Sequence, residues 1–270
     1  MLNKKKEIEN WFRCLRDLIC QEYSNIESKK KFKKKKWNRK KKSLGGGEIA
    51  MLRDGKTFEK VGVNISTVYG KFDRIFARQI PGTSKSNKFW ASGISVVVHP
   101  KNPHVPSLHF NTRYIETSKG WFGGGMDMTP NVKNLALKKK FHDELKFLCN
   151  SYDKKYYNEF KKNCDKYFFL HHRNEPRGDG GIFFDYLDKD WIKHFNFIKD
   201  IGLCYLLLSS KIIRSNNTKK WNKKLKEYQL KKRAKYTEFN LLYDRGTKFG
   251  LSTDGNLEAI FMSLPPSAKW

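Results

Sequence analysis

The 270-residue sequence contains no apolar run approaching the roughly 18 residues that a membrane-spanning helix needs. Cysteine is scarce: Cys14, Cys20, Cys149, Cys164 and Cys204 form an odd set with no CxxC pair. That pattern argues against a disulfide framework and against a zinc ribbon. The start, MLNKKKEIENWFRCLRDLICQEY, has neither an apolar signal core nor a small-residue cleavage site, so no export signal is expected. Acidic residues are few, with 27 Asp and Glu against 56 Lys and Arg, which leaves a formal charge of +29. What the chain does have is 38% hydrophobic and 14% aromatic residues, too many for a disordered polycation. A packed core is therefore expected, and the length suits one domain built on a large sheet.

The excess charge is mostly lysine, since only 12 of the basic residues are Arg. It gathers in KKKFKKKKWNRKKK at 29–42 and again at 219–235. Interleaved with Phe32 and Trp37, the first run could grip phosphates and stack bases. Equally, lysines can fill solvent-facing positions, and recognition surfaces usually favour the bidentate fork of Arg. Composition alone favours the solvated reading without closing the other.

Along the chain, Ile8, Trp11, Phe12, Leu15, Leu18, Ile19 and Tyr23 recur at three- and four-residue spacings and predict an amphipathic helix over 6–23. Short extended segments follow over 48–68, then a mostly irregular stretch over 69–88. The segments 92–99 (SGISVVVH) and 107–117 (SLHFNTRYIET) predict neighbouring strands. A period of two sends Ser107, His109, Asn111 and Arg113 to one face of the second strand and Leu108, Phe110 and Tyr114 to the other. Ser95, Val97 and His99 share a side of the first. Such a face is either a site or an ordinary solvent-exposed surface with hydrogen-bonded histidines. The three glycines of Trp121–Asp127 allow close backbone approach or a bulge. Helices are expected over 132–149, 153–169, 189–214 and 219–232, and strands over 236–243 and 256–264. The sum is an α+β fold with a mainly antiparallel sheet.

The motifs WFGGGMDMTP, HHRNEPRGDGGIFFDYL and KYTEFNLLYDRGTKFGLSTDGNLEAIFMSLPP, with GVNIS at 62–66 and SVVVHPKNPHVPSLHFNTRY, resemble those of the oxygen-dependent coproporphyrinogen III oxidase family, in the family's order and from the first helix to the last residue. The resemblance implies one domain over 1–270, with a large antiparallel sheet flanked by helices on both sides. It also implies a cytoplasmic homodimer with residues 236–270 contributing to the interface. Such enzymes convert the ring A and B propionates of coproporphyrinogen III to vinyls with O2, releasing carbon dioxide and giving protoporphyrinogen IX. No flavin, heme or nicotinamide cofactor is expected. Phe32, Trp37, Arg39 and the glycines at 45–47 match family positions while the lysines fall at variable ones, so 29–42 is read as a decorated loop and no nucleic-acid partner is expected.

Residue by residue, the resemblance gives His109 the place of the family's proton donor, suited to imidazole near neutral pH. Arg113 would clamp a propionate, and Asp127 would meet the pyrrole N–H groups as acceptor or base. Ser95, Asn111, Thr112, Arg113, Asp254, Gly255 and Asn256 match substrate-contact positions, although Asp254 and Asn256 replace what are commonly Gly and Arg. His99, His109, His142 and His172 match four histidines that bacterial members are described as using for a divalent metal. Their wide separation lacks local ligand spacing, which makes them a histidine-lined pocket before a metal site. His104, His171 and His194 have no matched role.

Overall fold

In the computed structural model, which describes residues 2–39, 41–72, 77, 78, 80–252 and 255–270, hydrophobic alternation builds a seven-stranded sheet. Strands β1 (Lys33–Asn38), β2 (Gly45–Arg53), β3 (Phe58–Lys71), β4 (Lys88–Pro100), β5 (Ser107–Glu116) and β6 (Gly120–Thr129) follow in chain order. The later strand β9 (Gly180–Leu187) adds to β6, and every neighbouring pair is antiparallel. Two-residue strands β7 (Phe169–Leu170) and β8 (Glu175–Pro176) pair separately. Helix α1 (Leu2–Ile26) precedes the sheet. Helices α2 (Leu135–Tyr152) and α3 (Tyr156–Tyr167) lie between β6 and β7, and α4 (Trp191–Asn216), α5 (Lys223–Leu242), α6 (Arg245–Ser252) and α7 (Leu257–Ile260) follow β9.

The expected α+β architecture is present. One sheet face carries Val96, Val98, Leu108, Phe110, Phe122, Met126, Ile182 and Phe184, which pack with Phe12, Leu15 and Ile19 of α1 and Phe197, Ile198 and Ile201 of α4. Phe110 stacks on Tyr205 at 4.8 Å, and the buried hydroxyls of Tyr23, Tyr205 and Ser209 meet there, with Tyr23 2.8 Å from Ser209 Oγ and 3.1 Å from Tyr205 Oη, so these deep polar groups stay paired. Full burial of a side chain such as Phe110 contributes about 1.5–3 kcal/mol, which makes this face the structural base of the molecule.

Register organises the opposite face. Asn64, Ser95, Asn111, Gly125 and Phe183 form one cross-strand row; Ser66, Gly93, Arg113 and Gly123 form the next; Gly62, Val97, His109, Asp127 and Gly181 form a third. Five of these positions are glycine, so the polar face is a floor with few projecting side chains. Helix α5 borders it, placing Tyr236 edge-on to His99 and directing Arg233 Nη2 to the Pro100 carbonyl at 2.9 Å.

Three expectations are corrected. The Lys-rich segment is not all loop: its residues 33–38 form edge strand β1, whose backbone pairs with β2 while Trp37 Nε1 donates to Asn64 Oδ1 at 2.9 Å. Lysines suit an exposed edge because they discourage pairing with other chains. The segments 236–243 and 256–264 are not strands. The first is the end of α5, whose buried Tyr236, Phe239 and Asn240 share a helical face at three- and four-residue spacing. The second is α7, capped by Asn256 Oδ1 accepting from Ala259 N at 3.0 Å, followed by a 3-10 turn over Phe261–Ser263. The irregular stretch 69–88 is shortened by β3 and β4, and its residues 73–76 and 79 lie outside the described residues.

Candidate active site

Strands β5 and β6 bring His109 and Asp127 side by side in one row, and their side chains meet: His109 Nδ1 lies 2.7 Å from Asp127 Oδ1. Because an ionised carboxylate only accepts, Nδ1 carries the proton and His109 Nε2 points away, 3.4 Å from Asn111 Nδ2. Asp127 Oδ2 accepts from Arg177 Nη2. That guanidinium is sealed among the rings of Phe168, Tyr236 and Phe239, 4.0–4.7 Å from their centroids. Burial works against a charge on Asp127, but Arg177 and the His109 hydrogen bond outweigh it and hold the carboxyl below its ordinary value. His109 is the most accessible member of this group, at 16% against 4% for Asp127.

Beside this buried line stands a second arginine. Arg113 donates through Nη1 to Asn111 Oδ1 at 3.2 Å and through Nη2 to Asp185 Oδ2 at 2.6 Å, bridging from β5 to β9 over Gly123 of β6. Asp185 Oδ1 in turn accepts from the Tyr186 N–H at 3.1 Å. The glycine leaves room for both side-chain ends. A Cβ at 123 would stand 2.5 Å from Asp185 Oδ1 and 3.0 Å from Arg113 Nη2.

The structure thus gathers His109, Asn111, Arg113 and Asp127, with half-buried Ser95 in the Asn111 row. It does not gather Thr112, which alternation turns to the opposite face, buried against Gly124 with its hydroxyl lacking a partner. Gly255 closes a turn through its N–H to the Gly250 carbonyl at 2.8 Å, and Asn256 uses its side-chain oxygen as a helix cap. Asp254 lies outside the described residues. The segment around these residues crosses the polar face: Arg245 lies over Tyr167 and Phe183, Phe249 packs on Phe72 and Phe89, and Met262 fills the space above Gly62.

The four histidines proposed for a metal do not converge. Among the described residues no three His, Cys, Asp or Glu side chains form a group able to hold an ion. Each of the four has both ring nitrogens engaged. His99 donates from Nε2 to the Ser263 carbonyl at 2.8 Å and faces Ser107 Oγ through Nδ1 at 3.4 Å. Burial, and secondarily the charge of Arg233, holds its pKa well below the usual imidazole value. His142 donates from Nε2 to the Asp179 carbonyl at 3.0 Å while Nδ1 accepts from Tyr157 at 3.1 Å. His172 lies between Tyr243 Oη at 2.9 Å and Glu238 Oε2 at 2.8 Å, and His109 belongs to the Asp127 couple. This donor set does not fit one shared ion.

Two members of the site carried no role in the sequence. Arg177 and Asp185 sit in motifs that the resemblance quoted, yet their partners lie 50 and 72 residues away. Only the pairing of β6 with β9 brings them into reach.

Comparisons with known proteins point to one family. The family model described as coproporphyrinogen III oxidase matches residues 7–270. The oxygen-dependent coproporphyrinogen-III oxidase of Rickettsia bellii (strain RML369-C) is 50% identical over 281 residues, covering 100% of both chains. The protein of the same name from Rickettsia akari (strain Hartford) is 51% identical over 279 residues, covering 100% of this chain and 99% of its own.

Proposed function

The chain belongs to the coproporphyrinogen III oxidase family, and from that membership we propose that it converts coproporphyrinogen III to protoporphyrinogen IX in heme biosynthesis, with O2 as co-substrate. In each conversion the bond from a propionate to its carboxylate breaks, and its electron pair becomes the vinyl double bond. The methylene next to the pyrrole gives up a hydrogen with its electron pair to O2, which takes one further proton and leaves as hydrogen peroxide, and the carboxylate carbon leaves as carbon dioxide.

The observation that carries the reading is the His109–Asp127 couple beside the Arg113 fork on a glycine floor. Arg113 supplies planar, charge-assisted hydrogen bonds that suit a propionate, and Ser95 and Asn111 lie in the adjoining row. His109 faces the substrate and moves protons through Nε2. Asp127, almost covered, keeps Nδ1 protonated and stabilises the imidazolium that forms when Nε2 takes a proton. In this reading the Asp127 carboxylate acts on substrate through His109. The histidine set does not fit a single ion, and no step is routed through one.

We also propose a homodimer in the cytoplasm. Leu241, Leu242, Leu251 and Leu257 are all about half exposed or more on the C-terminal helices, which supports an interface within 236–270. The five free cysteines suit a reducing compartment. Among the described residues no helix is long and apolar enough to cross a membrane. Residues 1–270 act as one unit in this reading, because the site takes side chains from β4, β5, β6 and β9.

The test is an anaerobic mixture of enzyme and coproporphyrinogen III to which air is admitted, with products read as protoporphyrin fluorescence after oxidation, with and without chelator. Product that depends on air is expected. Substrate binding without product would overturn the catalytic reading, and loss of product with chelator would overturn the metal-free assignment of steps.

A further inference from the structure

The polar face holds two arginine–carboxylate pairs built very differently. Arg177 and Asp127 are sealed, at 2% and 4% exposed, and aromatic rings enclose the guanidinium. Arg113 and Asp185 are partly open, at 29% and 17%. A sealed pair is a fixture because separating it strands two charges away from water. An open one exchanges partners readily because water replaces each contact that is lost.

Asp185 is also placed with some care by the backbone. It sits with Tyr186 in the irregularity of β9 between Phe184, paired with Gly124, and Leu187, paired with Phe122, and Tyr186 holds φ +60 in the left-handed region that a bulky side chain rarely adopts. That turn lets the Tyr186 N–H bind Asp185 Oδ1, and Gly123 leaves the gap through which Oδ2 reaches Arg113. Backbone strain and a lost side chain at 123 together keep a carboxylate on the fork assigned to a substrate carboxylate.

We propose that Asp185 is a resident surrogate for a substrate propionate, occupying the Arg113 fork before substrate arrives and reclaiming it when the propionate has become carbon dioxide. This deepens the function proposed above and rests on it. The substrate carries four carboxylates and the reaction destroys two, so a fork without a surrogate would lose its only anion at each decarboxylation. With Asp185 at hand, the cation passes from one carboxylate to another. Asp185 is therefore a positioning residue that acts through Arg113: it sets substrate affinity by competition and favours departure of the spent group.

The experiment compares wild type with Asp185→Asn and Asp185→Glu in two arms. Binding of coproporphyrin III, the oxidised tetracarboxylate that does not react, is read by fluorescence quenching, and turnover is read as kcat and KM. Competition predicts that Asp185→Asn binds coproporphyrin III roughly two- to fivefold more tightly, the range of an ion pair that water still reaches, with KM lowered alongside. Asp185→Glu, which keeps the anion, should return both values toward wild type. If Asp185 only props Arg113 in place, Asp185→Asn binds more weakly and KM rises, which overturns the proposal, as does unchanged affinity in a folded variant. Absence of turnover in wild type refutes the activity, while the binding arm still decides the role of Asp185.

Discussion

At Asp127 burial and a neighbouring cation pull in opposite directions, and the cation wins. The carboxylate is thereby fixed as an anion under His109, which predicts that Asp127→Asn keeps coproporphyrin III binding but lowers kcat by about 100-fold or more, the scale of lost general acid–base assistance. Steady-state kinetics beside a binding titration separates the two effects, and near-wild-type kcat would refute the couple. His99 poses the reverse problem. Burial and Arg233 depress its pKa, so the folded protein keeps the ring neutral at a pH where the unfolded chain protonates it. The sign follows from linkage: the stabilisation is fully present above 6.5, the ordinary value, and is lost as pH falls below it, at up to about 1.4 kcal/mol per pH unit for one proton. His142 and His194 are depressed by burial as well, so the stability of wild type should decline below 6.5. His99→Asn should make that decline shallower by one proton in urea unfolding followed from about pH 5 to 7.5. An unchanged slope would mean that His99 is not held neutral.

Elements differ in how much of themselves they show in sequence. Strands β4 and β5 were legible because one face must be greasy and the other is not, so Val96, Val98, Phe110 and His109 declare their sides by alternation. The run 236–243 misleads for a physical reason: α5 buries Tyr236 and Phe239 but leaves Leu241 and Leu242 half exposed, and the mixture blurs the helical period. Strand β1 was hidden because nearly all of its side chains face solvent and only its backbone belongs to the sheet. Of the site, the motifs pointed to His109, Arg113 and Asp127. They could not disclose that Arg177 and Asp185 complete it, since long-range pairing leaves no local spacing. The joint between β3 and the C-terminal segment is tested by Gly62→Ala. A methyl group there would collide with Met262, while the same turn is held by Lys60 Nζ, which donates to the Phe261 and Leu264 carbonyls, and by His99 on Ser263. Overpacking of this kind typically destabilises by about 1–3 kcal/mol, and hydrogen exchange should quicken over 257–264. Unaltered exchange in that segment would show that the turn does not depend on the glycine.

For the whole molecule, two surfaces have opposite tasks. The half-exposed leucines of α5 are expected to bury against a second copy, so Leu241→Glu combined with Leu242→Glu should turn a dimer into a folded monomer by light scattering, whereas an unchanged dimer mass would place the interface elsewhere. The basic surface instead acts over distance. A net charge of +29 facing a substrate with four carboxylates should raise the encounter rate by steering. The lysines of β1 lie four strands from Arg113, about 19 Å at ~4.8 Å per strand. That separation is close to twice the ~10 Å Debye length at 0.1 M salt. They are too far to hold a propionate at Arg113, and screening should erase their pull as salt rises. Accordingly kcat/KM is expected to fall as salt increases from about 10 to 300 mM while kcat holds, because salt weakens approach and not the chemistry. Substituting Lys33 and Lys36 by Ala should lower kcat/KM at low salt and flatten that dependence, with little change at high salt. A salt-independent kcat/KM in wild type would leave the lysines with the edge of the sheet as their one task.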